Sequence, residues 1–250
     1  MSAFETGAEA YHRQDFETAA KEWQAAADGG DIESLYHLGL LHANGLGTEK
    51  SYEKAMEYFT PAAEADNADA EYSLGVMYQV GFGTDENPAE GAYWYQKAAE
   101  HGHAQAQCNL AGMYETGEGV TQDYVKAVDL YQKSAGQGFS VAIFNLGVMC
   151  ENGVGMDADD AQAAQLYKAA ADAGLGAAQY NLGVMTAEGR GVDQDKDAAR
   201  ALFETAAENG HKLAAQNLAL LNSSNDGGIG KLETQKFPES GGIVNGSEGA

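Results

Sequence analysis

Leucine recurs at a fixed interval of 36 residues, at Leu38, Leu74, Leu110, Leu146, Leu182 and Leu218, without a slip of register. Other positions keep the same interval: Gly45, Gly81, Gly117, Gly153 and Gly189; their partners two residues on, Gly47, Gly83, Gly119, Gly155 and Gly191; and the rings Trp23, Phe59, Tyr95, Tyr131, Tyr167 and Phe203. An irregular globule has no reason to hold so many positions to one period. Self-similarity at about 20 to 50 residues belongs to a solenoid, in which no unit buries its apolar face alone and neighbours must stack to make a core. Such a core grows along a line, so 250 residues fit one array with a tail.

One unit can be read residue by residue. Ala106, Leu110, Met113 and Tyr114 are spaced by fours and threes and form one apolar helical stripe, helix A. It stops at Gly117-Glu118-Gly119, where glycine can take the left-handed conformation that ends a helix. Ser51, Asn87, Asp123, Asp159 and Asp195 then stand at one register position, each with a short side chain able to accept from the free amides of a new helix, helix B. Pro88 fits the first turn of that helix, because it lacks only an amide that would be unpaired there anyway. Ala127, Tyr131, Ser134 and Ala135 form its inner side, and it ends near Gly138, with Gly102, Gly174 and Gly210 at the matching stops. The residue after each periodic leucine is small: Gly39, Gly75, Ala111, Gly147, Gly183 and Ala219. Glycine inside a helix costs about 1 kcal/mol relative to alanine, so its recurrence there implies a close approach by another helix.

The pattern Ala-x-x-x-Leu-Gly-x-x-Tyr-x-x-Gly-x-Gly, followed by a capped helix with Lys-Ala and Tyr, resembles the Sel1-like repeat, a relative of the tetratricopeptide repeat. It is carried by Ala70, Leu74, Gly75, Tyr78, Gly81 and Gly83, and by Lys126, Ala127 and Tyr131. The resemblance implies an all-α fold, a right-handed alpha-alpha superhelix (solenoid) of Sel1-like and TPR-like helical hairpins. Residues 1–30 are expected to form a shorter TPR-like hairpin around Tyr11, Asp15, Ala19, Trp23 and Ala27, and residues 31–221 the array, five full repeats plus a final helix A. Residues 222–250 lose the apolar period and are rich in glycine and serine, which predicts a disordered tail.

Charge narrows the partners. The 38 acidic against 14 basic side chains leave a formal charge of -24, which repels nucleic-acid phosphates and anionic membranes. No basic segment followed by an apolar run opens the chain, and no stretch approaches the roughly 20 apolar residues of a membrane span. The expectation is a soluble, cytoplasmic protein that neither binds nucleic acid nor inserts into membranes. Cys150 stands six residues beyond the register position of Cys108, a rise of about 9 Å along a helix. With roughly 8 to 10 Å between neighbouring helices, the pair exceeds the roughly 7 Å limit for a disulfide, so both are expected as free thiols.

No catalytic, cofactor or metal site stands out. The Gly-x-Gly pairs follow helices rather than strands and recur five times, which makes them helix stops and not phosphate loops. His101, His103 and Cys108 are close in sequence, but no second group completes a tetrahedral set, and a solvated turn explains them. If helix A lines a concave face, as in tetratricopeptide arrays, the residues just before each periodic leucine point into a groove. These include Tyr36, His37, Tyr72, Ser73, Asn109, Phe144, Asn145, Tyr180, Asn181 and Asn217, an amide ladder beside an aromatic row. Amides can clamp a peptide backbone and rings offer stacking area, although the same residues could instead hold helix A to its neighbour. Glu115, Glu151 and Glu188 would add an acidic rim that favours basic segments. The resemblance then implies a non-catalytic scaffold or adaptor that holds a peptide or protein. Two alternatives remain: an envelope-ligand binder or hydrolase like the cysteine-rich beta-lactam-binding members, or a solenoid that self-associates end to end through its last, uncovered helix A.

Overall fold

In the computed structural model, residues 1–223 are described, and among them lie thirteen α-helices and no strand. The first two, α1 (Ala3–His12) and α2 (Phe16–Asp28), form the opening hairpin. Helices of the A type follow as α3 (Ile32–Asn44), α5 (Ala68–Val80), α7 (Ala104–Thr116), α9 (Ser140–Asn152) and α11 (Gly176–Glu188). Their B partners are α4 (Tyr52–Glu64), α6 (Pro88–Glu100), α8 (Tyr124–Gly136), α10 (Asp160–Asp172) and α12 (Lys196–Glu208), and α13 (Lys212–Ser223) is the sixth A helix. Most of the expected tail, residues 224–250, lies outside the described residues.

The period fixes the length of each helix and both its ends. Asp123 Oδ1 accepts from the Lys126 amide at 3.1 Å and Asp159 Oδ1 from the Gln162 amide at 2.9 Å, and Ser51, Asn87 and Asp195 cap their helices in the same way. Helix A ends in every full repeat on a left-handed glycine whose amide bonds back to the last turn. The second glycine of each pair has a different task. Gly191, at φ +66, lies so close to the Asp160 carbonyl at the start of α10 that a β-carbon would overlap that backbone. The loop thus locks onto the helix B of the preceding repeat.

Packing divides the described residues into two compact units, residues 1–113 with 117–122, and residues 114–116 with those from 123 onward. In the first unit, Ala10, Ala19, Trp23, Leu38 and Leu41 form one core cluster, and Ala55, Phe59, Leu74 and Met77 another. In the second, Tyr167 with Leu182 and Met185, and Phe203 with Tyr180 and Val184, do the same. Leu38, Leu74, Leu110, Leu146 and Leu182 are all buried, and Leu218 packs against the last cluster. The small residue after each leucine also acquires its reason. A β-carbon on Gly75 would sit 2.5 Å from the Tyr95 ring, and on Gly147 2.9 Å from the Tyr167 ring, so each ring of helix B lies flat against the backbone of its own helix A. Cys108 and Cys150 are buried thiols, not joined in a disulfide.

Candidate binding surface

The first unit places one of the candidate residues, His37, in the wall of an aromatic cavity. Trp23 of α2 is buried and donates its Nε1 to the Phe4 carbonyl at 3.3 Å, which fixes its plane. The His37 ring of α3 stacks on it, with centroids 4.6 Å apart and planes at 16°. Tyr11 of α1 lies 5.6 Å from Trp23 and is 40% exposed, so one edge of the cluster faces water. Between them opens a cavity of about 270 Å³ lined by Ala8, Tyr11, His12, Trp23, His37 and Leu40. The opening hairpin, whose turn is shorter and holds no Gly-x-Gly loop, supplies four of the six lining residues, Ala8, Tyr11, His12 and Trp23. Burial pushes the His37 pKa down, partly offset by Glu33, Asp31 and Asp69, so the ring is neutral near pH 7 and presents an apolar face. Beside it, burial together with Asp69 and Glu33 pushes Tyr36 up to about 12.

The remaining candidates of that unit are held more firmly. Tyr72 stacks on His103 at 4.5 Å and 15°. Ser73 donates its hydroxyl to the Asp69 carbonyl at 2.8 Å. Asn109 is buried and donates Nδ2 to the Tyr95 hydroxyl at 3.3 Å.

In the second unit Phe144 packs at 5.7 Å against Tyr167, and Asn145 is half-buried beside it in sequence. Asn181 is half-buried. Asn217 is fully buried and donates Nδ2 to the Tyr180 hydroxyl at 3.0 Å, while the Tyr180 ring stacks on His211 at 4.3 Å. Two of the four ladder asparagines, Asn109 and Asn217, therefore donate to tyrosine hydroxyls inside the protein.

The acidic rim requires correction. Glu115 is 6% exposed and accepts from the Tyr131 hydroxyl at 2.9 Å, and burial pushes its pKa up. Glu151 accepts from the Tyr167 hydroxyl at 2.6 Å through Oε2 and from Arg190 at 2.8 Å through Oε1. Glu188 is exposed and one register position away from the other two; Arg190 bonds it at 2.8 Å. The shared spacing of Glu115 and Glu151 from the tyrosine of helix B was the signal available in sequence. His101 and His103 also part company, since His101 faces Glu71 at 2.8 Å and His103 faces Asp69 at 3.3 Å.

No helix among the described residues is long and apolar enough to cross a membrane. A family model described as "Sel1 repeat" matches residues 32–67, 68–103, 104–139, 140–175 and 176–211. No curated protein matches the chain. Among solved structures, c5321, described as a protective antigen of uropathogenic Escherichia coli strains with an SLR fold, is 34% identical with a TM-score of 0.84. The match covers 90% of this chain and 50% of c5321, so the chain spans half the length of that protein. A Sel1 repeat protein from Oxalobacter formigenes is 30% identical over 96% of this chain and 93% of its own, with a TM-score of 0.83. A sel1 repeat protein from Klebsiella pneumoniae, at 22% identity and a TM-score of 0.50, shares the fold.

Proposed function

Because the chain belongs to the Sel1 repeat family, with its all-α solenoid fold of stacked hairpins, we propose that it is a non-catalytic scaffold that binds an extended segment of another protein. The observation that carries this reading is the aromatic cavity at Tyr11, Trp23 and His37. It is lined by rings whose planes are already fixed, so a side chain entering it meets a preorganised apolar wall at little entropic cost. His37 and Tyr36 belong to the row read from sequence as contact residues, and Tyr72 and Ser73 continue it one repeat on. In the second unit Phe144, Asn145 and Asn181 are the corresponding positions with exposed surface, whereas Tyr180 and Asn217 are fully buried and act as supports.

Charge supports a basic segment as the partner. With a formal charge of -24, the protein attracts a Lys- or Arg-bearing peptide at long range and repels acidic ones. An aromatic or branched side chain flanked by basic residues matches both features.

Selection of random displayed peptides on the full chain tests the reading. Enriched sequences are expected to pair an apolar anchor with Lys or Arg, to bind about tenfold more weakly to a Tyr11→Ala/His37→Ala variant, and to weaken as salt rises. Peptides indifferent to both changes would remove the cavity from the binding surface.

A further inference from the structure

Three departures from the repeat fall at one place in the first unit. The other hairpin junctions carry Gly30, Gly102, Gly138, Gly174 and Gly210, all at positive φ, whereas the junction between α4 and α5 carries Asp66 at φ +62. Five residues on, Glu71 stands where Gln107 and Gln179 stand in other repeats. His101, just after α6, occupies the position of Ala65, Gln137, Ala173 and Asn209. Asp66, Glu71 and His101 each offer a ligand atom, and these atoms lie within 4.8 Å of one another.

The second unit shows what the repeat does without those changes. Gln179 donates Nε2 to the Ala171 carbonyl at 3.3 Å, and its Oε1 accepts from Asn209 Nδ2 at 3.0 Å. Gln107 makes the same inward bond, to the Ala99 carbonyl at 3.1 Å. Glu71 keeps the outward contact, with Oε2 2.8 Å from His101 Nδ1. Its inner atom, however, is an oxygen where the repeat places an amide donor. Glu71 is completely buried, and its Oε1 has no hydrogen-bond partner. Lys97 Nζ stands 4.0 Å away, beyond hydrogen-bond reach, over the Trp94 ring. A buried carboxylate oxygen with an ammonium only at 4.0 Å and no donor in reach gains from a cation at closer range.

We propose that Asp66, Glu71 and His101 bind a divalent transition-metal ion, with zinc the best match to one imidazole and two carboxylates. Imidazole selects this class over magnesium or calcium, and two carboxylates with one histidine supply a net charge that suits a dication. Asp66 and His101 are exposed while Glu71 is buried, so an ion enters from solvent and Glu71 anchors it from below. Three protein ligands leave a coordination position for water or for a group on a bound partner. The ion takes over from the hydrogen bond between His101 Nδ1 and Glu71, and it satisfies a buried carboxylate whose Oε1 has only the Lys97 ammonium at 4.0 Å and no hydrogen-bond donor.

The other repeats provide variants compatible with the fold: Glu71→Gln as in Gln107 and Gln179, His101→Asn as in Asn209, and Asp66→Gly as in Gly174. Calorimetric titration of the full chain with zinc chloride should show one saturable site whose affinity falls at least tenfold in Glu71→Gln and in His101→Asn. A His42→Ala control should leave it unchanged. Cobalt(II) in place of zinc should give visible d–d absorption from the same site, lost in the same variants, with circular dichroism reporting that each variant keeps its helices. Absence of saturable binding, or affinity in Glu71→Gln and His101→Asn unchanged from the parent protein, would overturn the proposal and assign any bound metal to scattered surface acids.

Discussion

The hairpins α5–α6 and α9–α10 differ from α3–α4 and α11–α12 at the ring of helix B, and one position of helix A follows that difference. Where the ring is tyrosine, the residue 16 positions earlier is a polar acceptor: Gln79 for Tyr95 at 3.0 Å, and Glu151 for Tyr167 at 2.6 Å. Glu115 serves Tyr131 at the same spacing. Where the ring is phenylalanine, the corresponding residues are alanines, Ala43 for Phe59 and Ala187 for Phe203. All five rings are buried. A buried hydroxyl needs an acceptor and a buried phenyl excludes one, so two positions on different helices vary as a single chemical choice. Variation within a repeat is here a record of interior pairing.

The sharpest way to break that pairing is to put an acid where the ring cannot donate. Ala187 is fully buried, so Ala187→Glu is expected to destabilise the protein by about 3 to 5 kcal/mol through an unpaired buried carboxylate. Adding Phe203→Tyr should recover a substantial part of that loss, as read from denaturant midpoints. Equal stability of the single and double variants would mean that spacing alone does not couple the positions. The reverse change has a smaller effect. Glu151→Ala strands the Tyr167 hydroxyl and loosens Arg190, at a cost of about 2 kcal/mol, whereas Glu151→Ala with Tyr167→Phe imitates the Phe203 and Ala187 pair. A double-mutant cycle should give a coupling of about 1 kcal/mol or more. A cycle that closes at zero would assign the hydrogen bond no net value.

Much of this fold is legible in the sequence, because period, caps and glycine stops are local signals that repeat. Ser51, Asn87, Asp123, Asp159 and Asp195 cap helices on the evidence of their register alone, and Gly75 marks a close contact before the Tyr95 ring is known to fill it. Helix A starts were harder to see. Asp31, Asn67 and His103 cap with side chains, but Phe139 and Leu175 occupy the same position and make no such bond. The candidate surface was legible only in part. Periodicity places Tyr36 and His37 on helix A and Trp23 in the ring series, yet it cannot show that Tyr11 closes on Trp23 where Trp23 stacks on His37, because α1 departs from the period. Nor does a count of acids distinguish a solvated rim from Glu115 facing a tyrosine hydroxyl.

The gentlest probe of the comparison is pH. Burial raises the Glu115 pKa above its ordinary value of 4.5, and the Tyr131 hydroxyl offsets part of that rise. The folded state then holds its proton more tightly than the unfolded state, so between 4.5 and the raised value the unfolded chain carries fewer protons at this group. Stability contributed by Glu115 is therefore greatest below that window and declines as pH rises through it. Glu115→Gln removes the titration while keeping an oxygen that can accept from Tyr131, as Gln79 does for Tyr95. Its stability relative to the unchanged protein should increase from pH 4 to pH 7 by less than either effect above. A flat difference would mean that Tyr131 compensates Glu115 completely, and that glutamine and glutamate are interchangeable partners for a buried tyrosine in this repeat.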